Sequence, residues 1–217
     1  MDSNLRHAWT TVITPADYEE HMARIGQAQA SAVLNSHLID SARPPTGGRV
    51  VIAGAGTGQM FDFLDAEIFR PFELTCTDLN RHFLDVLEQR LACHRLSATL
   101  IEDDIENTTL KPGADLILAT LVLEHIDWRR GVEVLAALRP AACGVVIQQN
   151  PEGMATAVTP GRLIPESIAK AVETAHPALV PYGELVAGFV AQGYRCTNTR
   201  TEEVADGKRL IAVLFER

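Results

Sequence analysis

Apolar residues change their period along this chain near Arg49. Before it the spacing is helical: Tyr18, Met22, Ile25, Gln29, Ala32 and Val33 recur every three to four residues, and the pattern runs on towards Leu38. Thr14-Pro15-Ala16-Asp17 predicts the helix start, with Thr14 as N-cap and Pro15 at the first helical position. Gly26 predicts a break, and Pro44-Pro45-Thr46-Gly47-Gly48 a stop followed by a linker. From Arg49 onwards strand-sized apolar runs alternate with helical stretches. Strands are expected over 49–53, 72–77 ending at Asp78, 98–101, 114–120 and 144–148. Between them lie a helix carrying Met60, Phe61 and Leu64, one capped by Asn80 with Phe83, Leu87 and Leu91 inside, and one capped by Asp127 with Val132, Leu135 and Leu138 inside. The end of the chain breaks this rhythm. A helix over 182–191 precedes strands over 194–201 and 210–215, and Asp206-Gly207 between the strands is a hairpin signal. The pattern predicts an α/β fold: a doubly wound, mostly parallel sheet closed by an antiparallel C-terminal hairpin.

The segment Val50-Val51-Ile52-Ala53-Gly54-Ala55-Gly56-Thr57-Gly58-Gln59 carries the strongest chemical signal. Its spacing is Gly-x-Gly-x-Gly, whereas the dinucleotide fingerprint would need glycine where Gln59 stands. Glycines let the backbone turn tightly and approach a ligand closely. The next strand ends on an acid, Asp78. A glycine loop after one strand and an acid at the end of the next indicate a nucleoside ligand.

Composition narrows the field. A chain of 217 residues fits one domain, and its net charge of −9 comes from acids and bases mixed along the sequence. Without a Lys/Arg cluster, nucleic-acid binding is not expected. The longest apolar runs are strand-sized, so no membrane span is expected, and the first residues carry no apolar signal region. Cys76, Cys93, Cys143 and Cys196 are scattered, which fits reduced, mostly buried thiols in a cytoplasmic protein and no metal site.

With these residues in view, the chain resembles the class I S-adenosylmethionine-dependent methyltransferases, closest to the small-molecule, ubiquinone-biosynthesis-like branch. Four stretches carry the resemblance in the family's order: Gly54-Ala55-Gly56-Thr57-Gly58; Asp78; Glu102-Asp103-Asp104-Ile105-Glu106; and the run from Asp115 to Ile126 that ends Leu123-Glu124-His125-Ile126. The resemblance implies a Rossmann-like, seven-stranded sheet with an N-terminal helical lid over 1–48. The cofactor domain would span 49–217, with 151–181 as a substrate-pocket insertion. It implies S-adenosylmethionine as cofactor, a small-molecule acceptor and in-line methyl transfer. Gly54, Ala55, Gly56 and Gly58 would approach the methionyl part, favoured by a helix N-terminus after the loop. Asp78, with Leu79 beside it, would accept from the ribose hydroxyls. Asp104, or Asp103 in the other register, would meet the adenine amino group and Ile105 its ring edge, and Thr120 and Leu121 would lie beside the transferable methyl.

His125 is the candidate base, since a neutral imidazole can take a proton near neutral pH. The same Leu-Glu-His-Ile also reads as a structural turn, with Glu124 facing water. Tyr18 and His21 on the lid helix, and Arg162 and Tyr182 after the fifth strand, are candidate substrate contacts. The apolar N-terminal helix also offers a surface for a homodimer. One departure stands out: the family usually has an acid where this chain has Ile52, a carboxylate that orders the glycine loop. That keeps a non-catalytic cofactor-binding member open, beside an NAD-dependent oxidoreductase sharing the strand, loop and acid.

Overall fold

The computed structural model describes residues 3–154 and 164–217. Among them seven strands form one sheet: β1 (Arg49–Ala53), β2 (Glu73–Asp78), β3 (Thr99–Glu102), β4 (Leu116–Thr120), β5 (Ala142–Gln149), β6 (Arg195–Glu203) and β7 (Arg209–Glu216). Their order is β3-β2-β1-β4-β5-β7-β6. The first five are parallel, and β7 runs antiparallel between β5 and β6. The chain winds outward from β1 to β3, then returns to β4 on the other side of β1. At that reversal neighbouring loops diverge and a crevice opens at the carboxyl ends of β1 and β4.

The central strands are apolar on both faces because helices cover both. Val50, Ile52, Leu116 and Leu118 point to one side, where Leu34, Leu38 and Ile39 of α3 (Gln27–Ala42) meet Leu84, Leu87 and Leu91 of α4 (Arg81–Cys93). Val51, Ile117, Val145 and Val213 point to the other, against Val132 and Leu135 of α5 (Trp128–Ala137) and Leu185 and Phe189 of α7 (Tyr182–Ala191). Phe189 stacks on Phe215 with ring centroids 4.0 Å apart. β6 closes the sheet as an edge rich in Thr, Arg and Glu, a composition that discourages further pairing. Among the described residues no helix is long and apolar enough to cross a membrane.

Helix starts follow the expected caps. Thr14 accepts from the Asp17 amide and Pro15 opens α2 (Pro15–Arg24). Asn80 caps α4, and Asp127 caps α5 by accepting from the Arg129 and Arg130 amides. The break falls at Gly26, whose φ of 72° begins α3. α3 then packs into the sheet's own core, while the chain before it, α1 (Ser3–His7), the turn Ala8–Val12 and α2, stands over the strand ends. α6 (Glu166–Val172) packs beside that arm, with Ile168 and Ala171 against Ala8, Ile13 and Phe83.

Two expectations need correction. No α-helix follows the glycine loop; two short 3-10 turns, Gln59–Asp62 and Ala66–Phe69, take its place. The Asp65 side chain caps the Glu67 amide and starts a new turn where the first helix would have continued. The apolar residues still bury, with Phe61 and Phe69 in the core, so a helical spacing was met by two turns. Of the four free cysteines, Cys76 and Cys143 are buried but Cys93 and Cys196 are exposed, at the end of α4 and on the edge strand.

Asp127 satisfies two otherwise unpaired amides at the start of α5, the helix that covers the central strands. Asp127→Ala is expected to lower unfolding free energy by about 1 kcal/mol, read as a shift in the urea midpoint at unchanged slope.

Candidate functional site

A cavity of about 190 Å³ opens where β1 and β4 part. Its floor is made of strand ends: Gly54 and Gly56 after β1, Asp78 and Leu79 at β2, Asp104 and Ile105 after β3, Thr120 and Leu121 at β4, and Gln148 at β5. Each parallel strand points the same way, so residues far apart in sequence converge at one edge.

The three glycines of the loop all take positive φ, yet their surroundings differ. A Cβ on Gly54 would meet Val122 Cγ2 at 2.4 Å, and one on Gly58 would meet Leu87 Cδ1 at 2.3 Å. Those two positions are glycine because protein packs against them. Gly56 faces the cavity, where a Cβ would come no closer than 3.4 Å, to Tyr18 Oη. Gly58 and Ala55 do not line the cavity. Ala55 instead donates its amide to the Thr77 carbonyl, and its side chain packs on the hydrophobic core.

Asp78 ties the site together. Its Oδ2 accepts from the Gly56 amide at 2.8 Å and its Oδ1 from the Asn80 amide at 2.8 Å. One carboxylate thus shapes the glycine loop and the start of α4. Burial pushes this carboxyl up to about 6, against the opposing pull of its backbone hydrogen bonds. Ile52 lies in the hydrophobic core at 3% exposure, and Asp78 supplies a carboxylate hold on the loop from the next strand.

Asp103 and Asp104 divide their work. Asp103 is consumed internally by the Thr108 hydroxyl and the Thr109 amide and hydroxyl. Asp104 caps the turn Ile105–Asn107 and forms an ion pair with Arg6 of α1. Thr120 donates its hydroxyl to Asn35 of α3 at 3.0 Å. Leu121 takes a φ of 56°, rare for a bulky residue, and holds its amide on the Val146 carbonyl.

The arm roofs the cavity. Trp9 packs edge-on against His125 with centroids 4.5 Å apart, and the Trp9 carbonyl accepts from Asn80 Nδ2 at 2.7 Å. Tyr18 lies against Phe83, and burial raises its hydroxyl above the ordinary range. His21 also lines the cavity, its imidazole held below the usual range first by burial and then by Lys208 and Arg24. α2 is anchored on the loop side by the ion pair of Glu19 with Arg90 at 2.8 Å and by Gln59 Nε2 donating to the Glu19 carbonyl.

The turn Leu123–His125 revises the expected roles. Glu124 does not face water: it is 4% exposed. Its Oε1 accepts from the Gln148 amide at 2.7 Å, and burial pushes the carboxyl up to about 7. His125 lines the cavity as expected, and burial brings its imidazole down to about 4, so the ring is neutral at physiological pH. Arg162 lies outside the described residues. Tyr182 does not join the site: it opens α7 at 37% exposure and lines no part of the cavity. Reasoning from sequence missed Arg6, Trp9, Gln27 and Gln148. Gln148 had a readable signal, as a polar residue closing an otherwise apolar strand at its carboxyl end.

A family model described as a methyltransferase domain matches residues 51–143, somewhat under half of the chain. No curated protein matches at a significant level. Solved structures share the fold at low identity. Magnesium protoporphyrin IX methyltransferase from Synechocystis, crystallised with S-adenosylhomocysteine, aligns with a TM-score of 0.64 at 12% identity over 93% of this chain and 84% of that one. The N-methyltransferase NodS from Bradyrhizobium japonicum, also with S-adenosylhomocysteine, gives 0.61 at 14% identity over 88% and 87%. The cyclase SpnF gives 0.64 at 13% identity over 87% and 82%. The fold is therefore the Rossmann-like methyltransferase fold, and the cyclase among its neighbours shows that this architecture serves more than one chemistry.

The glycine loop yields a contrast. Gly58→Ala forces a Cβ into Leu87 at positive φ and is expected to cost about 2 kcal/mol or more. Gly56→Ala meets only ordinary contacts and should cost about half that, mainly from its positive φ. Urea unfolding of the two variants side by side measures the difference.

Proposed function

We propose that this chain binds S-adenosylmethionine in the cavity and transfers its methyl group to a small-molecule acceptor. The observation that carries the reading is the Asp78 carboxylate joined to the glycine loop at the topological switch point, in one cavity with Asp104 and the β4 end. The residues present fit such a ligand. Gly56 offers a backbone without a Cβ, Asp78 an acceptor for ribose hydroxyls, Asp104 an acceptor for an adenine amino group and Ile105 an apolar ring contact. Asp78 is a carboxylate above about pH 6 and His125 is neutral, an electrostatic setting that suits a sulfonium.

The bound cofactor supplies a methyl group on a positively charged sulfur. The chain's part is to align the acceptor and exclude water. Trp9, Tyr18 and Phe83 build the dry roof, and residues 3–25 act as the lid in this reading. Arg6 holds Asp104, so that carboxylate must be released before it can read the adenine. Tyr18 and His21 would face the acceptor. His125, low in basicity, serves as a hydrogen-bond acceptor before it serves as a base. The same reading keeps the chain in the ubiquinone-biosynthesis-like branch, acting in the cytoplasm on a dissolved acceptor rather than on nucleic acid.

Calorimetric titration with S-adenosylmethionine, S-adenosylhomocysteine and NAD tests the cofactor. Micromolar binding of the first two without NAD is expected. NAD binding alone would make the chain an oxidoreductase, and no binding at all would favour a non-catalytic protein with Ile52 as the reason. Asp78 also predicts a pH dependence. Its carboxyl is raised to about 6, so it is ionised and accepting above that value and protonated below it. Affinity for S-adenosylhomocysteine should therefore be flat from pH 7 to 8 and fall as pH drops through about 6. Asp78→Asn should bind at least tenfold more weakly and lose that pH step.

A further inference from the structure

One wall of the cavity carries two buried polar atoms without hydrogen-bond partners among the described residues. Glu124 is buried there with Oε1 engaged by the Gln148 amide, while its Oε2 has no hydrogen-bond partner among the described residues. The adjacent His125 has a buried Nδ1 in the same condition. The nearby side-chain amides each make a hydrogen bond to another group. Gln27 Nε2 donates to Gln148 Oε1 at 2.7 Å, and Gln148 Nε2 donates to Asn150 Oδ1 at 2.8 Å. Both glutamines are buried at 6% exposure and line the cavity, so they brace the strand end that holds Glu124. The Glu124 carbonyl is fixed as well, accepting from the Ala178 amide at 2.8 Å. Buried polar atoms without partners are rare, and such an atom in a cavity wall is one that a ligand can satisfy.

We propose that Glu124 binds the protic nucleophile of the methyl acceptor, an O–H or N–H group that donates to Oε2, with His125 Nδ1 as a neighbouring acceptor. This rests on the methyl-transfer reading above. The sulfonium itself has no hydrogen to donate, and in this reading the cofactor's ribose hydroxyls go to Asp78, its adenine amino group to Asp104 and its methionyl end to the glycine loop, which leaves Oε2 to the acceptor. Glu124 lies four residues past Thr120, at the strand end where the reacting centre sits in open α/β sheets. In the reaction a lone pair of the nucleophile forms the new bond to the methyl carbon. The carbon–sulfur bond breaks with its electron pair going to sulfur. The O–H or N–H proton passes to Oε2 of the ionised Glu124, leaving a neutral thioether, a methylated product and a neutral carboxyl. An acceptor without such a proton gains nothing from this wall.

The test uses the full-length protein loaded with S-adenosylhomocysteine and two probes, phenol and its methyl ether anisole, titrated by ligand-observed NMR. Phenol is expected to bind at least tenfold more tightly than anisole. Glu124→Gln keeps an oxygen for the Gln148 amide but puts an NH2 in place of Oε2. In it the phenol-to-anisole ratio should fall to within twofold of one, with S-adenosylhomocysteine affinity unchanged within twofold. Equal binding of the two probes to the wild type, no phenol binding, or a preference that survives in the variant overturns the inference. If the variant does not fold, the wild-type ratio alone decides. Failure of the wild type to bind S-adenosylhomocysteine removes the cofactor reading and this inference with it; equal probes on a loaded protein remove only this inference.

Discussion

The site depends on one half-buried carboxylate. Asp78 stands at the end of β2, and its two oxygens take the amides of Gly56 and Asn80. A buried carboxylate is costly unless backbone or side-chain donors surround it, and here the donors come from the two segments that must be positioned. The hold works in both directions: the loop and helix start stabilise the charge, and the charge fixes the loop and helix start. Burial still keeps the proton close, which makes the ionised state of this residue a property of the assembled site rather than of aspartate as such.

A second layer of order comes from the arm over the strand ends. Arg6, Trp9, Tyr18 and Glu19 each reach a different part of the site: the acid after β3, the ring of His125, the cavity face of the glycine loop, and Arg90 of α4. None of these contacts is large alone, and exposed ion pairs contribute little. Together they set the cavity's roof against its floor. The arm ends at Gly26, where a left-handed residue separates α2 from a helix that belongs to the core. One left-handed glycine thus separates the arm over the strand ends from a helix of the core.

Glu124 and His125 illustrate how burial assigns roles. They are neighbours on one short turn, yet desolvation raises the carboxyl and lowers the imidazole, so their affinities for protons cross. From residue type alone the histidine is the natural base. In the folded protein the carboxyl has the higher affinity for a proton, and both groups keep a polar atom without a partner among the described residues. Fold similarity does not decide what such a site does, since methyl transfer and cyclisation are both found among the structural neighbours. The local chemistry of this turn is what can distinguish them.

Much of this architecture was legible in local sequence. Strand and helix periods, the caps at Thr14, Asn80 and Asp127, the break at Gly26 and the closing hairpin all follow from short-range rules, because backbone geometry and capping are decided within a few residues. The candidate floor was legible too, since parallel strands must bring their carboxyl ends to one edge. What local pattern could not decide depends on contacts distant in sequence. Which loop glycines pack tightly against protein depends on Val122, Tyr18 and Leu87. The helix expected after the loop became two turns once Asp65 capped the second. Tyr182 was turned away from the site, Arg6 was brought to Asp104 across the fold, and Glu124 was buried rather than hydrated. Burial and charge pairing are properties of the packed chain, so tertiary structure alone decided which of the legible residues are buried, which are paired and which hold the loop.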